Sequence, residues 1–282
     1  MSSFDCGRFR LALTRTLVMG VVNITPVSFS DGEVGTTPAT VVALARRLIE
    51  EGADMIDLGA ESTRPGATPL SQADELKRLL PVLSALRDAA VPISVDTYKP
   101  EVMNIALAEG ASMINDIYAF RLPGSIEAVA GSDCGLCVMH MQHDPLTMQA
   151  APHYKDVVGE VRDFLTDRLA VLAAAGVGQN RICIDPGFGF GKNVMQNYQL
   201  LHGLDQLATC GVPLLAGLSR KSMIGAVTGR PVGDRLAGSV AAALAAAARG
   251  AAIVRVHDVA ATVDALKVWR AVAAPETELE CA

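Results

Sequence analysis

Polar side chains stand at the ends of several short apolar runs, which is a placement typical of an active site. The residues at these ends are Asn23, Asp96, Asn115, Asp185 and the pair Arg255 and His257. Thr63, Arg64 and Lys221 follow a little beyond other runs. An interior polar group costs free energy unless it has a partner, so a converging set of this size indicates a ligand site rather than a collection of caps.

Asp96, Asn115 and Asp185 supply acceptors and one amide. A carboxylate accepts two donors side by side, and an Asn offers both a donor and an acceptor. This trio suits a flat heterocycle with an amino-pyrimidinone edge. Each residue taken alone also fits a cap at the end of a strand.

Arg255 and His257 indicate an anion site. Residues two apart on a strand face the same side, so both side chains are expected to point inward. The segment Ser219-Arg220-Lys221-Ser222 follows another apolar run and precedes a possible helix start, which is a frequent phosphate site in barrels. The alternative for Arg255 is an ion pair with a neighbouring carboxylate.

Eight apolar runs alternate with helical patterns, which predicts parallel strands joined by helices. The runs are 17–22, 55–59, 93–95, 112–114, 136–140, 182–184, 213–217 and 252–257. Eight such units fit an α/β fold of the TIM barrel type, (β/α)8, and polar residues at strand ends then meet at one mouth. A doubly wound open sheet is the rival, but no G-x-G-x-x-G follows the first run.

The chain is expected to form one domain over residues 1–282. Alternation of Phe9, Leu11 and Leu13 predicts an N-terminal hairpin within 1–15, and the acidic tail 275–282 is expected to fray. Patterned helices are expected to begin near Tyr154 and just after Asp234.

Composition excludes several classes of protein. Half of the 282 residues are apolar and 19% are charged, which excludes intrinsic disorder. The net charge of -6 and the 4% of aromatic residues argue against nucleic-acid binding. Six cysteines are too sparse for a disulfide scaffold, and no apolar stretch reaches 18 residues, so we expect a cytoplasmic protein with no membrane span.

The sequence resembles the dihydropteroate synthase family along nearly its whole length. The motifs that carry the resemblance are M-G-V-V-N-I-T-P-V-S-F-S-D-G, D-L-G-A-E-S-T-R-P-G, I-S-V-D-T-Y, I-N-D-I, M-H-M-Q, I-D-P-G-F-G-F-G-K, G-L-S-R-K-S-M-I-G and R-V-H-D-V. The family has a (β/α)8 barrel, is inhibited by sulfonamides and joins a dihydropterin methyl diphosphate to 4-aminobenzoate. The resemblance therefore implies a transferase of folate biosynthesis.

The resemblance also implies roles for the motif residues. The pterin would contact Asp96, Asn115, Asp185, Lys221, Met139 and Phe190. The diphosphate would contact Thr63, Arg255 and His257, with Mg²⁺ on Asn23. The aminobenzoate site and its loops would comprise Phe29, Asp31, Arg64, Pro65, Lys221 and Ser222.

The implied reaction is an SN1-like substitution. Diphosphate departs while Mg²⁺ and fixed donors meet its developing charge, and the arylamine then attacks the pterin cation. An arylamine is already a nucleophile, so no catalytic Ser or Cys is required. The family resemblance further implies a homodimer, with the Ala-rich helix over 240–248 as a candidate contact.

Two residues of the first loop depart from the family pattern T-P-D-S-F-S-D-G-G. Val27 replaces its first Asp, and Glu33 replaces its second Gly. Both changes bear on how this loop closes, and neither touches the pterin or diphosphate residues.

Three rival functions remain at this stage. A methyltetrahydrofolate-binding methyltransferase of the same superfamily would keep the pterin trio but would not use a diphosphate site. An enzyme with Lys221 as a Schiff-base nucleophile is a second rival, and a non-catalytic pterin-binding paralogue is a third.

Weaker signals favour structural roles. The pair Cys134 and Cys137 stands alone, and the spacing of His140, His143 and His153 matches no zinc pattern. Asp57 and Asp116 are expected to hold neighbouring polar groups.

Overall fold

Eight parallel strands close into a barrel, as the alternating pattern predicts. The computed structural model describes residues 3–24, 37–62 and 68–274. The barrel strands, in the order in which they pair, are β10 (Ala251–Val256), β3 (Leu17–Asn23), β4 (Met55–Gly59), β5 (Ile93–Asp96), β6 (Met113–Asp116), β7 (Gly135–Met139), β8 (Ile182–Asp185) and β9 (Leu214–Ala216). The predicted TIM barrel is confirmed.

Helices surround the barrel and follow its strands. They are α1 (Pro38–Glu50), α2 (Gln72–Ala85), α3 (Pro100–Ala108), α4 (Ser125–Ala130), α5 (Val157–Ala174), α6 (Val194–His202), α7 (Ser222–Thr228), α8 (Leu236–Ala247) and α9 (Val259–Ala273). Short 3-10 helices cover Gln179–Arg181, Leu204–Cys210 and Val232–Asp234.

Local sequence explains most helix starts. Thr37 and Thr40 form a capping box on α1, and Pro38 occupies its first turn, where the missing N–H costs nothing. Two starts differ from the sequence pattern. Helix α5 begins after Asp156, whose carboxylate accepts from the Val158 N–H, and α8 begins only after a 3-10 turn has used Asp234.

The N-terminal hairpin closes the lower end of the barrel. Strands β1 (Ser3–Cys6) and β2 (Phe9–Ala12) pair antiparallel, so the predicted hairpin is confirmed. Phe4 and Cys6 are fully buried and pack with the barrel residues Met19 and Met55. Because this end is filled with apolar side chains, a polar ligand has access from the opposite end only.

Strand register places the polar residues in one layer at that opposite end. Asn23 pairs with Gly59, Gly59 with Asp96, and Asp96 with Asn115. On the far side, Asp185 pairs with Met139. The carboxyl ends of the strands thus form a mouth lined by these side chains. Among the described helices, none is long and apolar enough to cross a membrane.

Candidate active site

Asp57 organises the floor of the mouth. Its side chain is fully buried on β4, one layer below Asp96 and Asn115. One carboxylate oxygen accepts from Ser94 Oγ at 2.6 Å. The other accepts from Asn115 Nδ2 at 3.1 Å and from Arg255 Nε at 2.6 Å. As the sequence analysis expected, Asp57 holds its neighbours, and the Asn115 carbonyl oxygen is thereby turned away from it.

Arg255 binds two carboxylates at once. Besides Asp57, its Nη2 lies 3.3 Å from Asp96 Oδ2. The ion pair considered as the alternative reading of Arg255 is therefore present. This ion pair does not use all the N–H donors of Arg255, because a guanidinium has five of them. About a fifth of the side chain (21%) remains exposed at the mouth, where the other donors can reach a ligand.

Burial changes the charge balance of the two mouth carboxyls. Burial, reinforced by the charge of Asp57 and opposed by Arg255, raises the pKa of Asp96 to about 7. Burial also raises the pKa of Asp185, against the opposing charge of Lys221. Carboxyls with raised pKa values in a cleft are typical of a ligand site. Burial removes the water molecules that would hydrogen-bond to the carboxylate, and the N–H donors of a bound ligand can take their place.

Lys221 faces Asp185 across Gly217. A side-chain carbon at Gly217 would lie 3.8 Å from Asp185 Oδ2 and 3.9 Å from Lys221 Nζ, so both polar groups flank the same glycine. Lys221 Nζ also donates to the Phe188 carbonyl and stands 5.1 Å from the centre of the Phe190 ring. Burial lowers the pKa of Lys221 to about 8, although Asp185 opposes the shift.

The loop after β8 brings an aromatic face to the mouth. Asp185 Oδ1 accepts from the Gly187 N–H at 2.7 Å, which turns the chain immediately after the strand. Phe190 is half-buried at the top of this loop, and Met139 is buried at the end of the neighbouring strand β7. Their apolar surfaces flank the carboxylate layer, as a planar ring would require.

His257 lies just beyond β10 and is held by the loop after β9. The ring Nδ1 of His257 is 3.0 Å from Ser219 Oγ, and the backbone N–H of His257 donates to the same oxygen at 3.2 Å. The next residue of each segment continues the contact, because Arg220 pairs with Asp258 at 2.7 Å. These contacts fix the segment that contains Lys221 and the exposed Ser222 against the end of β10.

Asn23 ends β3 with an exposed side chain. Its Oδ1 faces Gly59, 3.8 Å from where a side-chain carbon would stand there, and Asp96 Oδ2 lies at the same distance from that point. The amide oxygen of Asn23 is therefore at the rim of the mouth, on the side of the Asp96 carboxylate.

Several residues predicted from the sequence to form the site lie outside the described residues. They are Phe29, Asp31, Thr63, Arg64 and Pro65, together with the departures at Val27 and Glu33.

The described residues on either side of 63–67 are bonded to the barrel and its helices. Glu61 accepts from the Leu70 N–H at 3.0 Å and from Tyr98 Oη at 2.6 Å, and Lys99 bridges Glu61 to Glu75.

Lys192 also belongs to this region, although its sequence context alone did not reveal this. Its ammonium group is buried directly behind the loop after β8 and contacts His140, which follows Met139. The Lys at the end of G-F-G-F-G-K was the available signal, because a charged residue that closes a glycine-rich loop needs acceptors, and backbone carbonyls supply them.

No group of three or more His, Cys, Asp or Glu residues in the described ranges is arranged to hold a metal ion. The two cysteines of the C-x-x-C pair have structural roles. Cys134 Sγ accepts a hydrogen bond from Ser132 Oγ, and Cys137 is buried within β7. Asp116 accepts from the Tyr118 and Phe120 N–H groups at 2.7 Å each, which shapes the loop after β6.

The barrel and the polar layer at its mouth belong to a protein of the pterin-binding class of enzymes. The family model described as pterin binding enzyme matches residues 19–257. Dihydropteroate synthase from Neisseria meningitidis is 50% identical over 275 residues, covering 95% of this chain and 96% of that protein.

Solved structures give the same result. Burkholderia cenocepacia dihydropteroate synthase complexed with 7,8-dihydropteroate is 54% identical, with a TM-score of 0.89 and 97% of each chain covered. The Xanthomonas albilineans enzyme with 4-aminobenzoic acid is 54% identical, with a TM-score of 0.91, covering 97% of this chain and 98% of that one. The chain belongs to the dihydropteroate synthase family, the transferases that form dihydropteroate in folate biosynthesis.

Proposed function

We propose that the mouth of the barrel binds the dihydropterin through Asp96, Asn115 and Asp185, with Lys221 on the carbonyl side of the ring. The observation that carries this assignment is the shared layer: Asp96 and Asn115 pair across adjacent strands, and Asp185 faces them from β8. Met139 and Phe190 offer the apolar faces between which the ring would lie. The relative from Burkholderia cenocepacia, whose structure contains 7,8-dihydropteroate, supports a pterin ligand for this site.

The diphosphate is assigned to Arg255 and His257, together with Thr63, which lies outside the described residues. Arg255 keeps N–H donors beyond those used by Asp57 and Asp96, and His257 stands two residues further along the same edge. Charge-assisted hydrogen bonds from such groups are strong and suit a leaving group whose charge grows as its bond breaks.

We propose Mg²⁺ as the cofactor, with Asn23 as its protein ligand. An exposed amide oxygen fits a hard cation that retains water molecules and takes its other ligands from phosphate oxygens. When bound, the ion would neutralise charge on the diphosphate.

The reaction we propose exchanges one bond for another. The bond between the pterin methylene carbon and a diphosphate oxygen breaks, and diphosphate leaves with the electron pair. The cation that remains is delocalised over the pterin, where the neighbouring Asp96 and Asp185 carboxyls stabilise it. The arylamine nitrogen then forms the new carbon–nitrogen bond and gives up a proton to the departed diphosphate or to water.

The aminobenzoate is assigned to Lys221 and Ser222 with Phe29, Asp31, Arg64 and Pro65, and these last four lie outside the described residues. Ser222 is exposed at the first turn of α7, directly after Lys221. The Xanthomonas albilineans structure with 4-aminobenzoic acid supports this second substrate.

The test is turnover of the dihydropterin diphosphate with 4-aminobenzoate and Mg²⁺, followed by diphosphate release and by detection of dihydropteroate. We expect dihydropteroate formation to depend on both organic substrates and to fall at least about 100-fold in Asp185→Asn. Failure to form dihydropteroate when both substrates and Mg²⁺ are present, or an Asp185→Asn enzyme with full activity, would contradict the proposal. Borohydride trapping with substrate separates out the Schiff-base alternative for Lys221, because only a covalent imine is trapped.

We also propose a homodimer formed through α8. This helix lines an apolar cavity of about 790 Å³ together with Ala261, and its own contribution includes Leu236, Val240 and Leu244. Val227 and Val232 beside it are 64% and 50% exposed and extend the apolar surface of Leu236, Val240 and Leu244, and contiguous apolar patches mark interaction sites. A second copy of the chain would bury this apolar surface of α8. Light scattering should give twice the chain mass, and Leu236→Asp should give a monomer.

We further propose that residues 1–282 form one domain and that the protein works in the cytoplasm. The described cysteines are Cys6, Cys134, Cys137, Cys183 and Cys210, and all five carry free thiols, in agreement with a reducing compartment.

A further inference from the structure

Lys192 is a buried lysine with three hydrogen bonds and no ion pair among the described residues. Only 2% of the residue is exposed. Its Nζ donates to the Gly187 carbonyl at 2.9 Å and to the Phe190 carbonyl at 3.0 Å, and it lies 2.9 Å from His140 Nδ1. An ammonium group has three N–H donors and no acceptor, so three acceptors satisfy it completely.

The contact between Lys192 and His140 shares one proton. Two carbonyl oxygens can only accept from Lys192, and the third position of its nitrogen either donates to His140 Nδ1 as an ammonium or accepts from it as a neutral amine. Burial lowers the pKa of Lys192 well below its ordinary value. The His140 ring packs edge-on against Phe164, with 4.9 Å between ring centres. Burial and then the charge of Lys192 lower the pKa of His140 to about 2, in keeping with a permanently neutral ring.

The three acceptors belong to two different loops of the mouth. Gly187 and Phe190 lie in the loop after β8, between Asp185 and Lys192 itself. His140 lies directly after Met139, at the end of β7. Lys192 therefore joins the segment that carries Phe190 to the segment that carries Met139.

The backbones of these loops are also in close contact. The His140 N–H donates to the Asp185 carbonyl at 2.9 Å. Gly187 has a φ of 68°, and a side-chain carbon there would lie 1.9 Å from the His140 carbonyl oxygen, so only glycine fits. Asn197 completes the anchor, because its side chain accepts from the Gly189 N–H at 2.6 Å and donates to the Lys192 carbonyl at 3.1 Å.

We propose that Lys192 is a positioning residue for the pterin site: by binding His140 and the two loop carbonyls, it sets the spacing between Phe190, Met139 and Asp185 into which the pterin ring fits. This inference rests on the proposed pterin site. Lys192 touches no assigned ligand position, and it acts through the loop backbone and His140.

The decisive variant is Lys192→Met, which keeps the length of the side chain and removes all three donors. Calorimetry with two probes separates positioning from general damage. The Kd of 6-hydroxymethyl-7,8-dihydropterin should rise by about 10- to 100-fold, because a displacement of about an ångström has effects of this size. The Kd of inorganic diphosphate with Mg²⁺ should change less than about twofold, since Arg255 and His257 belong to β10 and its end, and not to the two loops that Lys192 joins.

Arg181→Met is the matched control. Arg181 precedes β8 at the closed end of the barrel and likewise donates to two backbone carbonyls, those of Cys134 and Val129. Its loss should lower the unfolding free energy without changing the affinity for the pterin. If Lys192→Met and Arg181→Met weaken pterin binding equally, or if Lys192→Met weakens neither ligand, the positioning role is refuted.

Two measurements remain decisive if Lys192→Met does not fold. His140→Phe removes one acceptor and keeps the ring packing, and it should raise the Kd of the pterin several-fold while leaving diphosphate binding unchanged. Nitrogen NMR of the unaltered protein should show His140 Nδ1 in a hydrogen bond with the Lys192 nitrogen, whichever of the two carries the proton. A His140 Nδ1 that makes no hydrogen bond, or unchanged pterin binding in His140→Phe, would overturn the inference.

The failure of this inference is distinguishable from failure of the proposed site. If Asp185→Asn abolishes pterin binding and Lys192→Met does not alter it, only the positioning role is wrong. If Asp185→Asn binds the pterin normally, the site assignment itself fails.

Discussion

Arg255 Nε lies 2.6 Å from Asp57 Oδ2, although the two residues are 198 positions apart. Asp57 is fully buried, and Arg255 is its charged partner in the described part of the barrel. Burial alone would lower the pKa of Arg255, but the charges of Asp57 and Asp96 outweigh it and raise that pKa above its ordinary value. The arginine assigned to the diphosphate is thus also a structural cation of the barrel.

We expect Arg255→Ala to lower the unfolding free energy at neutral pH by about 3–5 kcal/mol, because it leaves the Asp57 charge buried and unpaired. Urea denaturation of the purified protein measures this change. His257→Ala is the control, since the described contacts of His257 are hydrogen bonds to Ser219 and not to the buried Asp57, and it should cost less than about 1 kcal/mol. Equal stability of the two variants would show that the ion pair contributes nothing net.

His257→Ala is therefore the cleaner test of the diphosphate site. The variant should weaken binding of the dihydropterin diphosphate by about 2 kcal/mol, the size of one charge-assisted contact. Binding of the same pterin without phosphates should stay unchanged, because His257 lies beyond the end of β10, is held by Ser219, and is not one of the residues assigned to the pterin. Calorimetry with both ligands checks it, and an equal loss for both would remove His257 from the diphosphate site.

Asp185→Asn should abolish measurable pterin binding while the protein remains folded. The Asp185 carboxylate accepts one N–H from Gly187, and its second oxygen faces the mouth beside Gly217. An amide presents a donor where the ligand also presents donors, so the contact becomes repulsive. Calorimetry with a pterin analogue and a circular dichroism spectrum are the measurements, and unchanged affinity would exclude Asp185 from the site.

Pterin affinity should decrease as the pH rises through about 8. Burial lowers the pKa of Lys221 to about 8, so the ammonium donor is present below that pH and is lost above it. Lys221→Arg carries a guanidinium that stays protonated, and its affinity, even if weaker, should not fall over the same range. A profile that falls equally in both proteins would assign the pH dependence to another group.

Val27→Asp should lower the KM for 4-aminobenzoate at saturating dihydropterin diphosphate. This prediction comes from the sequence, because position 27 lies outside the described residues. An Asp after Pro26 can bond to backbone N–H groups of a turn, whereas a β-branched Val prefers extended backbone. Steady-state kinetics test it. If KM is unchanged or higher while pterin affinity is also unchanged, Val27 is neutral variation.

The sequence by itself determined the architecture and the set of polar residues at the mouth. Each barrel strand is a short apolar run, since strands buried on both faces need apolar side chains throughout, and this local property is visible without a structure. Asp96, Asn115 and Asp185 stand at the ends of such runs. Once parallel strands are inferred, their common edge follows from topology alone.

Only the tertiary structure decided which of these groups bind each other. Closure of the barrel sets β10 beside β3 and so brings Arg255 to Asp57, and the loops after β7 and β8 meet where Lys192 reaches His140. No local pattern encodes such pairs, because they depend on register, on side-chain rotamers and on a glycine that lets two backbones touch. A charged residue in a sequence can bind a ligand or can hold neighbouring segments of the protein together. Which of these roles it has depends on the hydrogen-bond partners that folding places within about 3 Å of it.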